Sequence, residues 1–442
     1  MQDELFEKQP IPKAYLTLAL PVVLGMVVSL IYNMVDTIFI AKTADTNLIA
    51  GVSLCTPIFT LMVAIGDIFG VGGSSVISRL FGKKCNEDGT RLSVFCFYAA
   101  LFTGILVLVV MLLAKKQILY ALGADEETYF HAARYYQWIV LGAPLIIVSY
   151  TPHNLLRTEG FAKASMAGTM LGAIVNVILD PLFIFTLEMG AAGAAIATVI
   201  GNLCVDIFYL SFLTKKCRYL SINPKGLYIS EGEIGQIFAI GIPASITNLM
   251  QSIGIALTNR FLQGYGNEKV AVMGIVLKIV MIAVLVMVGI AFGGQPLIGY
   301  TYGAGNHVRL KKTLRFAFLL ECGIGIAMAV FLGIFSSPIV GMFLSDGELA
   351  RMASDMLRIQ LLSMPFVGMV LAATCSFQSA GKAGSALALS ASRQGIVFAA
   401  VLVVLSYAAG YQGILFAQPL SDVLTASLAF VLLRRWIKKE KL

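Results

Sequence analysis

The chain has 442 residues, of which 58% are hydrophobic and only 13% charged, with a formal net charge of +8. A soluble domain carries roughly 25% charged residues, so a water-soluble globular fold is excluded. The basic residues sit in short loops without interleaved aromatics, a pattern that reports membrane topology and excludes nucleic acid as a partner.

Taken in chain order, the N-terminus carries Asp3, Glu4 and Glu7 and lacks a basic n-region and cleavage site, so the first apolar span is expected to stay in the mature protein. Apolar stretches long enough to cross a bilayer, about 20 residues each, then follow one another. They are predicted at 14–40, 48–79, 91–114, 130–156, 164–186 and 190–213, and again at 234–262, 270–299, 312–333, 351–378, 384–406 and 413–435. Spans 1–6 define an N-lobe (1–213), 214–233 a cytoplasmic linker, and spans 7–12 a C-lobe (234–442). The seven cysteines form no C-x-x-C pair and are expected as free thiols.

The two halves are one module written twice. Leu20-Pro21 returns as Ile242-Pro243, Gly72-Gly73 as Gly293-Gly294, Gly82 as Gly303, Pro144 as Pro365, Gly160 as Gly381, and Gly193 as Gly413. Proline and glycine hold backbone roles that no neighbour can take over, so their matched spacing reports a shared backbone path. Six spans per copy make the repeat parallel, the plan of transporters that bind at a repeat interface. The expected fold is an all-α membrane protein of twelve helices, as two parallel six-helix repeats around a central cavity.

Orientation follows from Lys and Arg. With both ends on one side, that side holds twenty-three of the 32 basic residues, including Arg157, Lys215, Lys216 and Arg393. Seven lie opposite, and Arg260 and Lys278 fall inside spans. The rich side is expected to be cytoplasmic, with both termini there.

An ionisable side chain at bilayer depth costs about 2.5–3.5 kcal/mol on insertion scales, so each invites a functional reading. Asp36 in span 1, Asp67 in span 2 and Asp180 in span 5 have Thr258, Val288 and Val401 as repeat equivalents, so only the first half carries midplane carboxylates. Asn33 and Asp36 share a helix face beside Thr37, Asn176 and Asp180 share another, and Thr198, Asn202 and Asp206 recur every four residues along span 6. Pro181 frees the carbonyl of Val177. Two carboxylates side by side in a low dielectric need a counter-cation, and Asp, Asn and Thr oxygens suit either a proton or a hard ion such as Na⁺. Asp67 is expected either to work in coupling or to pair with a buried base such as Lys278. Asp206 is expected to meet loop lysines, Asp422 to cap packing, and Glu321 and Arg393 to snorkel to the cytoplasmic boundary. Asn248, Gln251 and Gln418 read as helix glue or ligand contacts. A subset of the 18 methionines lining a cavity would suit loose recognition of varied ligands.

Other function classes lack their parts. No G-x-x-x-x-G-K-[ST] loop is present, so no nucleotide is expected, and Gly70-x-Gly72-Gly73 lies inside an apolar run that follows no strand. The three histidines fit no metal-ligand spacing, and no nucleophile–base set for an intramembrane enzyme is visible. Neither an enzyme nor a cofactor is expected.

Val35-Asp36-Thr37, Asn176-x-x-x-Asp180-Pro181 and Gly193-Ala194-Ala195-x-Ala197-Thr198 resemble the multidrug and toxic compound extrusion (MATE) family. So do Arg79-Leu80-Phe81-Gly82 at the end of span 2 and Tyr300-Thr301-Tyr302-Gly303 at the end of its twin. The resemblance covers residues 10–436 and implies two six-helix lobes opening alternately to either side of a bacterial cytoplasmic membrane. It implies a monomer that exports amphipathic, often cationic, small molecules in exchange for H⁺ or Na⁺. Carried over, it implies a cation site of Asp36, Asn176, Asp180 and Thr198, which would also hold any transported Na⁺, with Asn33, Asn154, Asn202 and Gln251 as secondary coupling or cavity residues. One branch carries a glutamate in span 7 and an aspartate in span 10. This chain departs from it, with Gln251 nearest the first position and Ser363, Thr374 and Ser376 in span 10. The alternative within the same superfamily is a flippase of a lipid-linked or other amphipathic substrate, which only Arg260 and Lys278 inside the spans would serve. A major facilitator lacks support because Gly82-Lys83-Lys84 stands where its Gly-x-x-x-Asp-Arg-x-Gly loop belongs.

Overall fold

The computed structural model describes residues 4–226, 231–344 and 346–440, and their regular structure is entirely helical. The side chain of Asn248 lies outside the described residues. In the first copy, α1 (Ile11–Ala41) precedes α2 (Thr46–Leu54) and α3 (Thr56–Gly82), which together make one span. Then come α4 (Asn86–Leu113), α5 (Lys115–Ala121), α6 (Tyr129–Leu141), α7 (Ala143–Leu155), α8 (Ala162–Pro181) and α9 (Ala191–Lys216). The second copy has α10 (Glu231–Gln263), α11 (Asn267–Gly303), α12 (His307–Ile334), α13 (Ser336–Gly341), α14 (Gly347–Leu361), α15 (Met364–Ser379), α16 (Ala383–Gln394) and α17 (Ile396–Lys439).

Among the described residues nine helical segments are long and apolar enough to span a membrane, and two bent pairs, α6–α7 at 51° and α14–α15 at 42°, raise the number to eleven. Pro144 and Pro365 stand in the first turn after each bend, where the missing N–H removes the bond back to Val140 or Leu361. The last segment, Ala383–Lys439, has 57 residues, far more than a bilayer needs, and is interrupted at Gly410 with φ 55° and ψ −130°. Its repeat mate Gly190 has φ 55° and ψ −126° at the start of α9. Both are left-handed positions that glycine takes without a Cβ clash. The Gly410 break makes two spans of the last segment, twelve in all.

The same packing recurs in each copy: α3 and α4 against α7, then α11 and α12 against α15; α6 and α8 against α9, then α14 and α16 against α17. Outward faces are apolar. Helix α4 exposes Phe102, Ile105, Leu106, Val109, Val110 and Leu113, a stripe at helical spacing that lipid, not water, would solvate.

The chain forms two compact units, one built on Leu24–Ser245 and the other on Phe6–Val23 with Ile246–Leu442. The opening half of each copy's first helix therefore packs with the other copy. A Cβ on Gly72 would sit 2.4 Å from the carbonyl oxygen of Ile237 in α10, and one on Gly293 would sit 2.4 Å from Cα of Ala19 in α1. The repeated glycines are the seats for these half-helices. Arg309 donates to the carbonyls of Phe6 and Gln9, both at 2.8 Å, and Tyr300 donates to Glu7 at 2.7 Å, fixing the N-terminal segment to the second unit.

The segment after α9 is strapped to the first unit. Buried Glu159 accepts from the backbone N–H groups of Arg218, Tyr219 and Leu220. Ser93 exchanges hydrogen bonds with both backbone groups of Ser221, and Tyr98 donates to the carbonyl of Ile222.

Candidate functional site

Three helices of the first unit build a polar site. Helix α1 supplies Asp36, partly buried, with Oδ1 sealed from solvent and without a donor among the described residues. Helix α8 supplies Asn176 and Asp180, 2% and 0% exposed, one turn apart and just before Pro181 ends the regular helix. Helix α9 supplies Thr198, whose hydroxyl donates back to the carbonyl of Ala194 at 3.1 Å. Gly172 lets α8 and α9 meet, since a Cβ there would sit 2.5 Å from the side chain of Val205.

The Asn176 amide joins the set. Turned so that both its ends are satisfied, its nitrogen donates to Asp180 Oδ2 at 2.9 Å and its oxygen accepts from the backbone N–H of Thr198 at 3.3 Å. Asp36 and Asp180 lie within hydrogen-bonding reach of each other, and the hydroxyls of Tyr32 and Tyr135 are close enough to feel both charges. Two carboxylates facing each other without an intervening base repel unless a cation neutralises one of them. The arrangement can hold a proton between the carboxyls, or a hard cation among carboxylate, amide and hydroxyl oxygens.

The other residues singled out from sequence fall elsewhere. Asn33 is exposed, and its carbonyl accepts from Thr37 at 2.8 Å. Asn202 donates to the carbonyl of Thr198 at 2.9 Å and meets Ser149 of α7, adjoining the site without entering it. Asn154 belongs to a second cluster: it donates to Asp67 at 3.4 Å and to the carbonyl of Tyr150 at 2.8 Å, and accepts from Arg157. Gln251 lines a cavity in the second unit.

Four expectations are corrected. The base beside Asp67 is Arg157, not Lys278, because the span runs on through a 3₁₀ turn to Glu159 and carries Arg157, 2% exposed, inside with it. Asp206 meets no lysine among the described residues, and both its oxygens are buried without a partner. Arg393 does not snorkel but pairs with Asp422 at 3.2 Å, their side chains 12% and 1% exposed, so Asp422 holds an ion pair. Glu321 is fully buried, neither oxygen having a partner among the described residues. Sequence reasoning also missed Tyr135 of α6, which nothing in the sequence marked and which the fold brings near both acids.

Fold and site define a multi-pass membrane transporter built from two parallel repeats. The family model MatE matches residues 21–182 and again 243–405, opening at Pro21 and at its repeat mate Pro243, and the chain belongs to the MatE family. Its members are transporters and not enzymes. The multidrug export protein MepA of Staphylococcus aureus is 30% identical over 437 residues, 98% of this chain and 96% of that protein. A crystal structure of MATE in complex with MaD3S has a TM-score of 0.94 at 25% identity, covering 100% of this chain and 99% of the other. An outward-facing multidrug resistance MATE transporter of the MOP superfamily gives 0.93 at the same identity and coverage.

Proposed function

We propose that this transporter is a secondary active exporter of amphipathic, often cationic, small molecules across a bacterial cytoplasmic membrane, in exchange for H⁺ or Na⁺. The observation that carries the reading is the pairing of Asp36 with Asp180, backed by Asn176 and Thr198, with no base between the carboxyls among the described residues. The likeness to a multidrug export protein over nearly the whole chain supports the direction and substrate class. In this reading two six-helix lobes, 1–213 and 234–442, move as a monomer by alternating access. The cation enters between the carboxylates from outside, neutralises them, and leaves to the cytoplasm. Emptying the site restores two repelling charges, and that difference biases the conformations. Orientation rests on the basic residues. Removing inward-turned Arg157 and Arg393 from the twenty-three leaves twenty-one against seven, so both termini still face the cytoplasm.

The test is efflux of a fluorescent cationic dye from reconstituted vesicles under imposed proton or sodium gradients, applied separately. Wild type is expected to move dye under one of them, which names the ion. Asp36→Asn and Asp180→Asn should each lower the driven rate by at least about tenfold while the purified protein stays monodisperse. The tenfold corresponds to about 1.4 kcal/mol. Undiminished transport in both variants would remove the site assignment.

A further inference from the structure

The second unit contains a cavity of ≈ 300 Å³ enclosed by α10, α11, α14, α15 and α17 and by Arg393 and Gln394 at the end of α16. That volume lies at the small end of ligand pockets. Its wall carries three charged side chains, Lys278, Arg393 and Asp422. Arg393 is committed to Asp422, whose second carboxylate oxygen accepts from Gln418 at 3.1 Å. Lys278, exposed on α11, has no ion-pair partner among the described residues. The cavity therefore holds one uncompensated positive charge.

Two acceptors complete the picture. Asn259 Oδ1 and Gln394 Oε1 are buried, line this cavity, and find no hydrogen-bond donor among the described residues. A buried acceptor left unmade costs about 1–3 kcal/mol, a cost that a ligand with an N–H or O–H group would lift. The remaining wall is apolar and adaptable, with Met273, Met281, Met364 and Phe398.

We propose that this cavity is a substrate subsite for the anionic end of amphipathic molecules, in which Lys278 receives a carboxylate, Asn259 and Gln394 accept from a neighbouring donor group, and the methionines and Phe398 hold the hydrophobic body. The inference rests on the export reading and extends it to hydrophobic carboxylates and zwitterions. A purely cationic compound would meet the ammonium of Lys278 with like charge, so the subsite selects among amphiphiles by the group it neutralises.

The test uses full-length protein in nanodiscs and two matched probes, a zwitterionic rhodamine with a free carboxylate and its cationic methyl ester, titrated by fluorescence polarisation. Wild type is expected to bind the acid more tightly than the ester. Lys278→Met should weaken the acid by about tenfold and leave the ester within about twofold, while Lys278→Arg keeps acid binding near wild type. Asn259→Leu, a second variant should Lys278→Met not fold, should weaken the acid several-fold. Equal binding of the two probes by wild type, or equal effects of Lys278→Met on both, overturns the subsite. Efflux of the ester under a gradient is read separately. Its absence in wild type with acid selectivity intact removes the export reading and leaves the subsite standing.

Discussion

Single residues set the electrostatics of this protein by what they lack as much as by what they touch. Asp36 and Asp180 face each other with no base beside them among the described residues. Asp422, by contrast, is neutralised by Arg393 and held by Gln418. Removing one member of a buried ion pair strands the other, at a cost of about 3–5 kcal/mol. Asp422→Ala is accordingly expected to lower the thermal unfolding midpoint of detergent-solubilised protein far more than Asp36→Asn does; an equal shift would contradict the pairing. At the protein's margin, Lys382 and Glu440 form an ion pair at 3.0 Å outside the spans, and Tyr302 also donates to Glu440. The Lys382 hydrogen bond holds the Glu440 carboxyl below its ordinary range. Burial pulls the Lys382 ammonium down, but the bond to Glu440 outweighs it and the net direction is up. The lowered carboxyl stabilises above the unfolded glutamate value, about pH 4.3, and loses its effect as pH falls through the folded one. The raised ammonium stabilises below the unfolded lysine value, about pH 10.4, and loses its effect as pH rises through the folded one. Both groups are partly exposed, so the gain is small. A Lys382→Met variant should melt slightly below wild type at pH 7 and converge on it as pH falls through the lowered Glu440 value, as seen in melting curves across pH.

At the scale of elements, the repeated punctuation of the sequence becomes geometry. Pro144 and Pro365 each start a bent half-helix, Gly190 and Gly410 each take the same left-handed turn, and Gly72 and Gly293 each receive a half-helix from the other copy. These positions were legible because proline and glycine do what other residues cannot. The strap from Glu159 to residues 218–220 was not, because a carboxylate capping backbone N–H groups sixty residues away leaves no periodic mark. Nor was the inward course of Arg157, since a basic residue near a span's end reads as a loop cation until the helix is seen to continue. Gly72→Val would drive its side chain into the backbone of Ile237. Overpacking of this kind costs about 1–3 kcal/mol, and the variant should show a lowered melting midpoint and reduced yield of monodisperse protein. A neutral outcome would show that the two backbones can separate there.

For the whole molecule, the acids are unequally shared between copies that otherwise match. Both copies keep their helix packing, yet the first places Asp36 and Asp180 where the second has Thr258 and Val401. One unit carries the paired acids and the other an amide- and methionine-lined cavity, a difference consistent with duplication followed by divergence of polar residues alone. Energetically, one charge moved down 100 mV supplies about 2.3 kcal/mol, which sustains roughly a 50-fold gradient of a neutral solute. In vesicles clamped at that potential with one coupling ion, accumulation of a neutral dye should stay within that bound. A larger ratio would require more than one coupling charge per cycle.

Span number, repeat, basic-residue bias and the presence of acids at bilayer depth in the first copy were determined by the sequence alone, because each rests on local hydropathy or on a residue type at fixed spacing. Helical periodicity put Asn176 on one face with Asp180, and the acids' depth in apolar runs marked them. Only the tertiary structure decided which side chains meet: that Asp36 reaches Asp180, that Arg157 rather than Lys278 sits beside Asp67, that Arg393 turns inward to Asp422, and that the oxygens of Asp206 and Glu321 find no hydrogen-bond partner among the described residues. Such pairings depend on which faces of distant helices are brought together. A sequence fixes the faces, and packing of whole helices against one another chooses among them.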